Sequence, residues 1–222
     1  MREQKSAILF DLDGVLIDSE DAHYEATRSA FRERGLPGLT EELYRSCMLG
    51  RPDREAIAAG LETLGVPYGE LEPLLQAKAR FYRALLERGT VQLLEDGIAT
   101  VEAALEQGYP VALVTGALAD EARWALRAAG LLGRIAVIVS AEAVERGKPD
   151  PEPYLLGCAR LGALPERSVA VEDSPAGVTA GLAAGLRVLA VARRPFPELD
   201  RAHRVVTRLR WDDVAALLAQ RA

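Results

Sequence analysis

Four consecutive apolar residues, Ala7-Ile8-Leu9-Phe10, stop abruptly at Asp11-Leu12-Asp13-Gly14. A short unbroken apolar run of this kind reads as a strand buried on both faces. The period then changes. From Glu20 to Arg34, Ala22, Ala26, Ala30 and Phe31 recur at helical spacing, with Gly35 as a stop. Thr40 opens a second helix. Asp53 or its neighbour caps a third, which runs through Ile57, Leu61 and Leu64 to Gly65. A fourth covers Leu71 to Leu86 and ends at Gly89. No strand is expected from about 20 to 90.

From residue 92 onward strands and helices alternate. Helices are expected from Gly97 to Gln107, Asp120 to Ala129, Pro151 to Leu161, Ala176 to Ala184 and Asp212 to Ala219. Strands are expected from Val111 to Gly116, Ile135 to Val139, Ser168 to Val171 and Val188 to Val191, with a short last one at Val205-Val206. Such alternation means an α/β fold, a parallel sheet with helices on both faces. The helical stretch interrupts this fold after its first strand. Residues 1–19 and 92–222 are read as the α/β core and 20–91 as an inserted helical cap, expected to lie over the carboxyl edge of the sheet as a lid. The glycines at 177, 181 and 185 recur every four residues and fit close packing of a helix on the sheet.

Ligands of open parallel sheets bind outside the carboxyl ends of the strands, and four such places here carry polar chemistry. If extended geometry persists through Asp13, Asp11 and Asp13 leave the same face of the first strand. Two carboxylates held together repel unless a cation neutralises them, and hard oxygen ligands suit Mg²⁺. The bland alternative is a turn with solvated acids. Thr115-Gly116 offers a hydroxyl and a glycine amide to phosphate oxygens, or is an ordinary strand-to-helix turn. Lys148, stiffened by Pro149, could hold a nucleophile and a phosphate together, or be a loop lysine in solvent. Glu172-Asp173-Ser174 could complete a Mg²⁺ site with Asp11, or serve as a helix N-cap.

The chain has 222 residues, 49% of them hydrophobic, enough for one sizeable domain plus a smaller insertion. Its net charge of −6 and pI near 5.2 argue against a general nucleic-acid binder but not against an anionic substrate, because a bound cation reverses the sign of a site. The most apolar stretch, Val178 to Ala192, is short and broken by Arg187, so no membrane span is expected. The first five residues lead into no signal region, and Cys47 and Cys158 form neither a metal spacing nor a disulfide framework. A cytoplasmic protein, monomeric by default, is expected. Of the 27 basic residues only Lys5, Lys78 and Lys148 are lysines, which makes a lysine in an apolar or turn context a candidate for work an arginine cannot do.

Asp11-Leu12-Asp13-Gly14-Val15-Leu16 and Asp18-Ser19-Glu20 resemble the first signature of the haloacid dehalogenase-like phosphatase superfamily, in its phosphoglucomutase and sugar-phosphatase branch. Thr115-Gly116, Lys148 and Glu172-Asp173 follow in the order of that family's later motifs. The resemblance implies a Rossmann-like core with a helical cap. It implies Asp11 as the nucleophile that forms an aspartyl-phosphate and Asp13 as general acid and then base. It also implies Mg²⁺ held by Asp11, Asp173 and Glu172 with the carbonyl of Asp13, and a phosphoryl group bound by Thr115, Gly116 and Lys148. Haloacid dehalogenases proper lack the second aspartate. Phosphonoacetaldehyde hydrolases place a lysine early in the cap, where this chain has none before Lys78.

The acceptor of the phosphoryl group is the open question. His23 matches a hinge histidine of the resembled β-phosphoglucomutases, or is an ordinary helix histidine. Lys78 is similar to their cap lysine for a distal phosphate, or is a charge on a solvated helix face. Arg51 or Arg54 could supply a cap arginine, though the spacing departs by one residue. Ala117-Leu118-Ala119 replaces the more polar run expected of a mutase. The reading is therefore a Mg²⁺-dependent phosphatase of a small phosphate ester, a sugar phosphate above all. A β-phosphoglucomutase is second and a catalytically idle binding protein last. Pro195-Phe196-Pro197 reads as a surface loop.

Overall fold

The computed structural model describes residues 5–194 and 196–220. The chain divides into two compact units, one running through Asp18 and resuming at Leu93, the other Ser19–Gln92.

The first unit is built on a six-stranded sheet. Its strands are β1 (Ile8–Phe10), β4 (Val111–Val114), β5 (Val137–Val139), β6 (Val169–Glu172), β7 (Arg187–Val191) and β8 (Arg204–Val206), in the order β5-β4-β1-β6-β7-β8. Every pairing is parallel, and the register sets Phe10 level with Leu113 on one side and Val171 on the other. Both faces of the central strands are buried, which is why Ile8, Leu9 and Phe10 are all apolar rather than alternating. Two-residue strands, β2 (Ile17–Asp18) and β3 (Gln92–Leu93), flank the helical insertion; neither is long enough to leave a periodic trace in the sequence. The helices are α5 (Glu95–Glu106), α6 (Ala119–Ala128), α7 (Glu152–Leu161), α8 (Pro175–Ala183) and α9 (Trp211–Ala219). Leu9, Val114, Tyr154, Cys158, Ala170 and Val178 share one core layer, in which α7 and α8 lie against the sheet.

The second unit is helical: α1 (Glu20–Glu33), α2 (Glu41–Cys47), α3 (Asp53–Leu64) and α4 (Leu71–Glu87). Its own core gathers Phe31, Tyr44, Met48, Ile57, Leu61 and Leu74. Thr40 caps α2, its hydroxyl accepting from the Leu43 amide at 3.2 Å. Gly65 ends α3 with φ +64°, a conformation glycine adopts at no steric cost.

Three expectations need correction. Extended geometry does not persist through Asp13: β1 ends at Phe10, and the Leu12 carbonyl accepts from the amides of Val15, Leu16 and Ile17 to form a turn. Phe196 is not simply a surface-loop residue, since it packs against the core layer; Pro195 and residues 1–4 lie outside the described residues, and with them most of the reading of the N-terminus. Gly177 and Gly181 do mark close approach, whereas Gly185, at φ +82° with open space around it, serves the turn after α8. Among the described residues no helix is long and apolar enough to cross a membrane, and both cysteines are free.

Candidate active site at the carboxyl edge of the core

Parallel pairing brings the carboxyl ends of β4, β1 and β6 side by side. The winding of the chain reverses at β1, and such a switch point opens a crevice for ligands. Asp11 follows β1 directly, and its amide donates to the Val171 carbonyl at 2.9 Å. Thr115 follows β4, Glu172 ends β6 and Asp173 comes next.

Lys148, in the loop before α7, ties these ends together. Its ammonium donates to Asp11 Oδ1 at 2.6 Å, to Glu172 Oε1 at 2.5 Å and to the Val114 carbonyl at 2.9 Å. All three ammonium donors are thereby used. The side chain is about one-tenth exposed, so the solvated alternative for Lys148 fails. Burial opposes its charge, but Asp11 and Glu172 raise its pKa above the usual lysine range. Glu172 is fully buried. Its Oε1 also accepts from the Tyr154 hydroxyl at 2.6 Å, and its Oε2 from the Asp173 and Ser174 amides and the Ser174 hydroxyl.

Asp11, Glu172 and Asp173 each present a carboxylate oxygen, all within 4.8 Å of one another. Burial, with Glu172 and Asp13 adding to it against the attraction of Lys148, pushes the Asp11 carboxyl up to about 8. Burial first and then the charges of Asp11 and Glu172 push Asp173 well above the usual carboxylate range. One ammonium does not neutralise this group. A hard divalent cation would, and an all-oxygen donor set fits Mg²⁺. Asp173 is spared from capping α8 because Ser174 does that work, its hydroxyl accepting from the Gly177 amide at 3.0 Å. Asp13 is half-buried in the turn and forms an isolated bridge with Ile17. Thr115 is buried, and its hydroxyl accepts from the Ala117 amide at 3.0 Å. Gly116 is exposed, and a Cβ there would meet nothing within 4 Å.

The remaining sequence candidates belong to the helical unit. Lys78 is only 2% exposed, which overturns the solvated-face alternative. Its ammonium donates to both carboxylate oxygens of Asp53 at 2.5 Å, and it lies 2.8 Å from His23 Nδ1. An ammonium has no acceptor, so in this contact it donates and His23 Nδ1 accepts. The His23 ring stacks on Tyr82 with centroids 4.2 Å apart. His23 is thus an organised part of a polar cluster. Arg54 pairs with Glu72 on the exposed surface at 2.6 Å, and Arg51 is exposed.

Three participants escaped the sequence reading. Asp53 was seen only as a helix start, and its proximity to Lys78 comes from the packing of α3 against α4. Tyr154 has the spacing of any core aromatic. Arg193 donates from Nε to the Gly14 carbonyl at 2.7 Å, and only the sheet order brings it near the turn after Asp11.

The chain and its fold are similar to those of known proteins. The family model of the haloacid dehalogenase-like hydrolases matches residues 8–191. A validoxylamine A 7'-phosphate phosphatase of Streptomyces hygroscopicus subsp. limoneus is 31% identical over 93% of this chain and 96% of its own. A phosphorylated carbohydrates phosphatase of Thermotoga maritima is 36% identical, over 81% of this chain and 82% of its own. The crystal structure of CbbY from Rhodobacter sphaeroides in complex with phosphate superposes with a TM-score of 0.79 at 28% identity, over 92% of this chain and 95% of that one.

Proposed function

The chain belongs to the haloacid dehalogenase-like hydrolases, and from that membership we propose that it is a phosphatase of small phosphorylated carbohydrates that works through an aspartyl-phosphate. The observation that carries the reading is Lys148, whose ammonium spans Asp11 and Glu172 at the switch point of the sheet. In this reading an Asp11 oxygen attacks phosphorus while the bond to the ester oxygen breaks, and Asp13 gives that oxygen its proton. Water then attacks the same phosphorus and passes a proton to Asp13. The bond to Asp11 breaks, and phosphate leaves. The charge of Lys148 works against burial to favour the ionised form of Asp11, and it faces the charge that gathers on the transferring group. Thr115 and Gly116 border the place where phosphoryl oxygens would lie. A Mg²⁺ held by Asp11, Asp13, Glu172 and Asp173 would supply further positive charge at those oxygens. Glu172, whose oxygens already accept five hydrogen bonds, serves chiefly as support for Lys148 and Asp173.

Water is favoured over a sugar hydroxyl as acceptor by Lys78. Its charge is matched by Asp53 inside the helical unit, so it is not held ready for a second phosphate. The relatives named as phosphatases of phosphorylated carbohydrates and of validoxylamine A 7'-phosphate support the substrate class.

The test is phosphate release, with Mg²⁺, from sugar phosphates, hexitol phosphates, phosphoglycolate and nucleoside monophosphates. β-Glucose-1-phosphate is followed in parallel for isomerisation. Turnover of the carbohydrate esters without isomerisation is expected. Asp11→Asn should lower kcat by about 10³-fold or more, the order seen when a nucleophile is removed. Isomerisation with little phosphate release would make the chain a mutase instead, and full turnover by Asp11→Asn would remove the covalent mechanism.

A further inference from the structure

The turn after Asp13 is held from outside by an ion pair that the chemistry above does not use. Arg193, two residues beyond β7, donates from Nε to the Gly14 carbonyl at 2.7 Å and from its terminal nitrogen to Asp96 Oδ1 at 2.7 Å. Asp96 is anchored in turn. Its Oδ1 accepts from the Gly97 amide at 3.0 Å and its Oδ2 from the Leu209 amide at 2.9 Å. Both side chains are largely buried.

The same turn is gripped at two further points. Gly14 has φ +72°, and a Cβ there would fall 1.8 Å from Asp173 Oδ2. A Cβ on Gly97 would fall 1.9 Å from the Val15 carbonyl. The backbone of Gly14-Val15 is thus pressed between Asp173 and the first turn of α5, and Arg193 binds the Gly14 carbonyl of that segment from outside the turn. A guanidinium suits this work because its planar fork reaches two acceptors in fixed directions, as a lysine ammonium does not.

We propose that Arg193, braced by Asp96, is a positioning residue for Asp13: it fixes the turn that aims the Asp13 carboxyl at the leaving oxygen. The inference rests on the phosphatase reading above, in which Asp13 is the acid. An acid misplaced by a fraction of an ångström loses most of its effect, and misplacement by 1 Å can cost about 10²-fold. That loss depends on the leaving group. A sugar alkoxide needs its proton as the bond breaks, whereas a nitrophenolate leaves without one. The ratio kcat/KM reports the first irreversible step, cleavage of the ester, and so isolates the acid from its later work as base.

Arg193→Gln and Asp96→Asn are to be compared with the parent on a sugar phosphate and on p-nitrophenyl phosphate, with melting curves on each variant. The expected result is a fall of about 10–100-fold in kcat/KM for the sugar phosphate, a part of the roughly 10²–10⁴-fold that a general acid contributes, with a fall under about threefold for the aryl ester. Arg193→Lys should recover part of the loss on the sugar phosphate. Equal losses on the two esters would mean a merely structural brace and overturn the proposal, as would no loss on either. Should Arg193→Gln not fold, Asp96→Asn, which keeps the side-chain shape but removes the charge and one of the two acceptor oxygens, reads the same ratio. Failure of the parent to cleave either ester would count against the phosphatase reading itself, a separate outcome.

Discussion

At the residue scale the site is held by what its glycines leave out. A Cβ on Gly177 would lie within 1.9–2.1 Å of the Glu172 carboxylate. Glycine inside a helix costs roughly 1 kcal/mol relative to alanine, so propensity alone would favour Gly177→Ala. The packing reverses the sign, because the fully buried Glu172 is fixed by five hydrogen bonds and has nowhere to move. Gly177→Ala is expected to lower both the melting temperature and kcat, the latter by about 10²-fold if Lys148 shifts by an ångström; phosphate-release assays and melting curves on the variant check both. A rise in melting temperature with activity kept would mean the carboxylate has room. Which residues gather at this edge was largely legible in the sequence, since Asp11, Lys148, Glu172 and Asp173 each stand where an apolar run or a loop meets a turn. Their partners were not. Tyr154, Asp53 and Arg193 meet a carboxylate, an ammonium and a carbonyl respectively, across 18 to 179 residues of chain, and no local spacing encodes such pairs.

At the element scale the alternation of strand and helix was readable because each element buries a full face. The two-residue strands β2 and β3 were not, and α5 begins at Glu95, two residues before the expected Gly97. Asp96 accounts for that start. It lies in the first turn, accepts from the Gly97 amide and reaches out to Arg193 and to the Leu209 amide ahead of α9. Burial works to raise its pKa, but the hydrogen bonds from Arg193 and Leu209 outweigh it and hold the carboxyl below the ordinary value of 3.8. A depressed carboxylate contributes stability that is present above its unfolded pKa and lost as pH falls through the folded one. Asp96→Asn should therefore be less stable than the parent at neutral pH, and the gap should close below about pH 3.9. Urea melts at pH 7 and pH 3 read this directly. A gap that persists undiminished at pH 3 would assign the loss to packing rather than to charge.

At the scale of the whole molecule, the sheet gathers more negative charge at one edge than its lysine can hold, and this ties the stability of the core to pH and to metal. The folded state raises the pKa of Asp11 from 3.8 to about 8 and that of Asp173 well above 3.8. A carboxyl raised on folding contributes stability that is fully present below its unfolded pKa and is lost as pH rises through the folded value. Without a divalent cation the core should therefore lose stability between about pH 4 and pH 8. Lys148 does not alter that trend, because its own raised pKa acts only above the ordinary lysine value of 10.5. A bound cation stabilises the native state by mass action, and it binds the ionised carboxylates, so its effect grows as they lose their protons. The melting temperature in EDTA should fall from pH 5 to pH 8, and the rise produced by Mg²⁺ should widen over the same interval. Asp173→Asn should shrink both effects, since it removes one of the crowded charges and one of the oxygens available to the metal. A Mg²⁺ effect of equal size at pH 5 and pH 8 would mean that the ion binds elsewhere, and that the carboxylates at this edge are held by the protein alone.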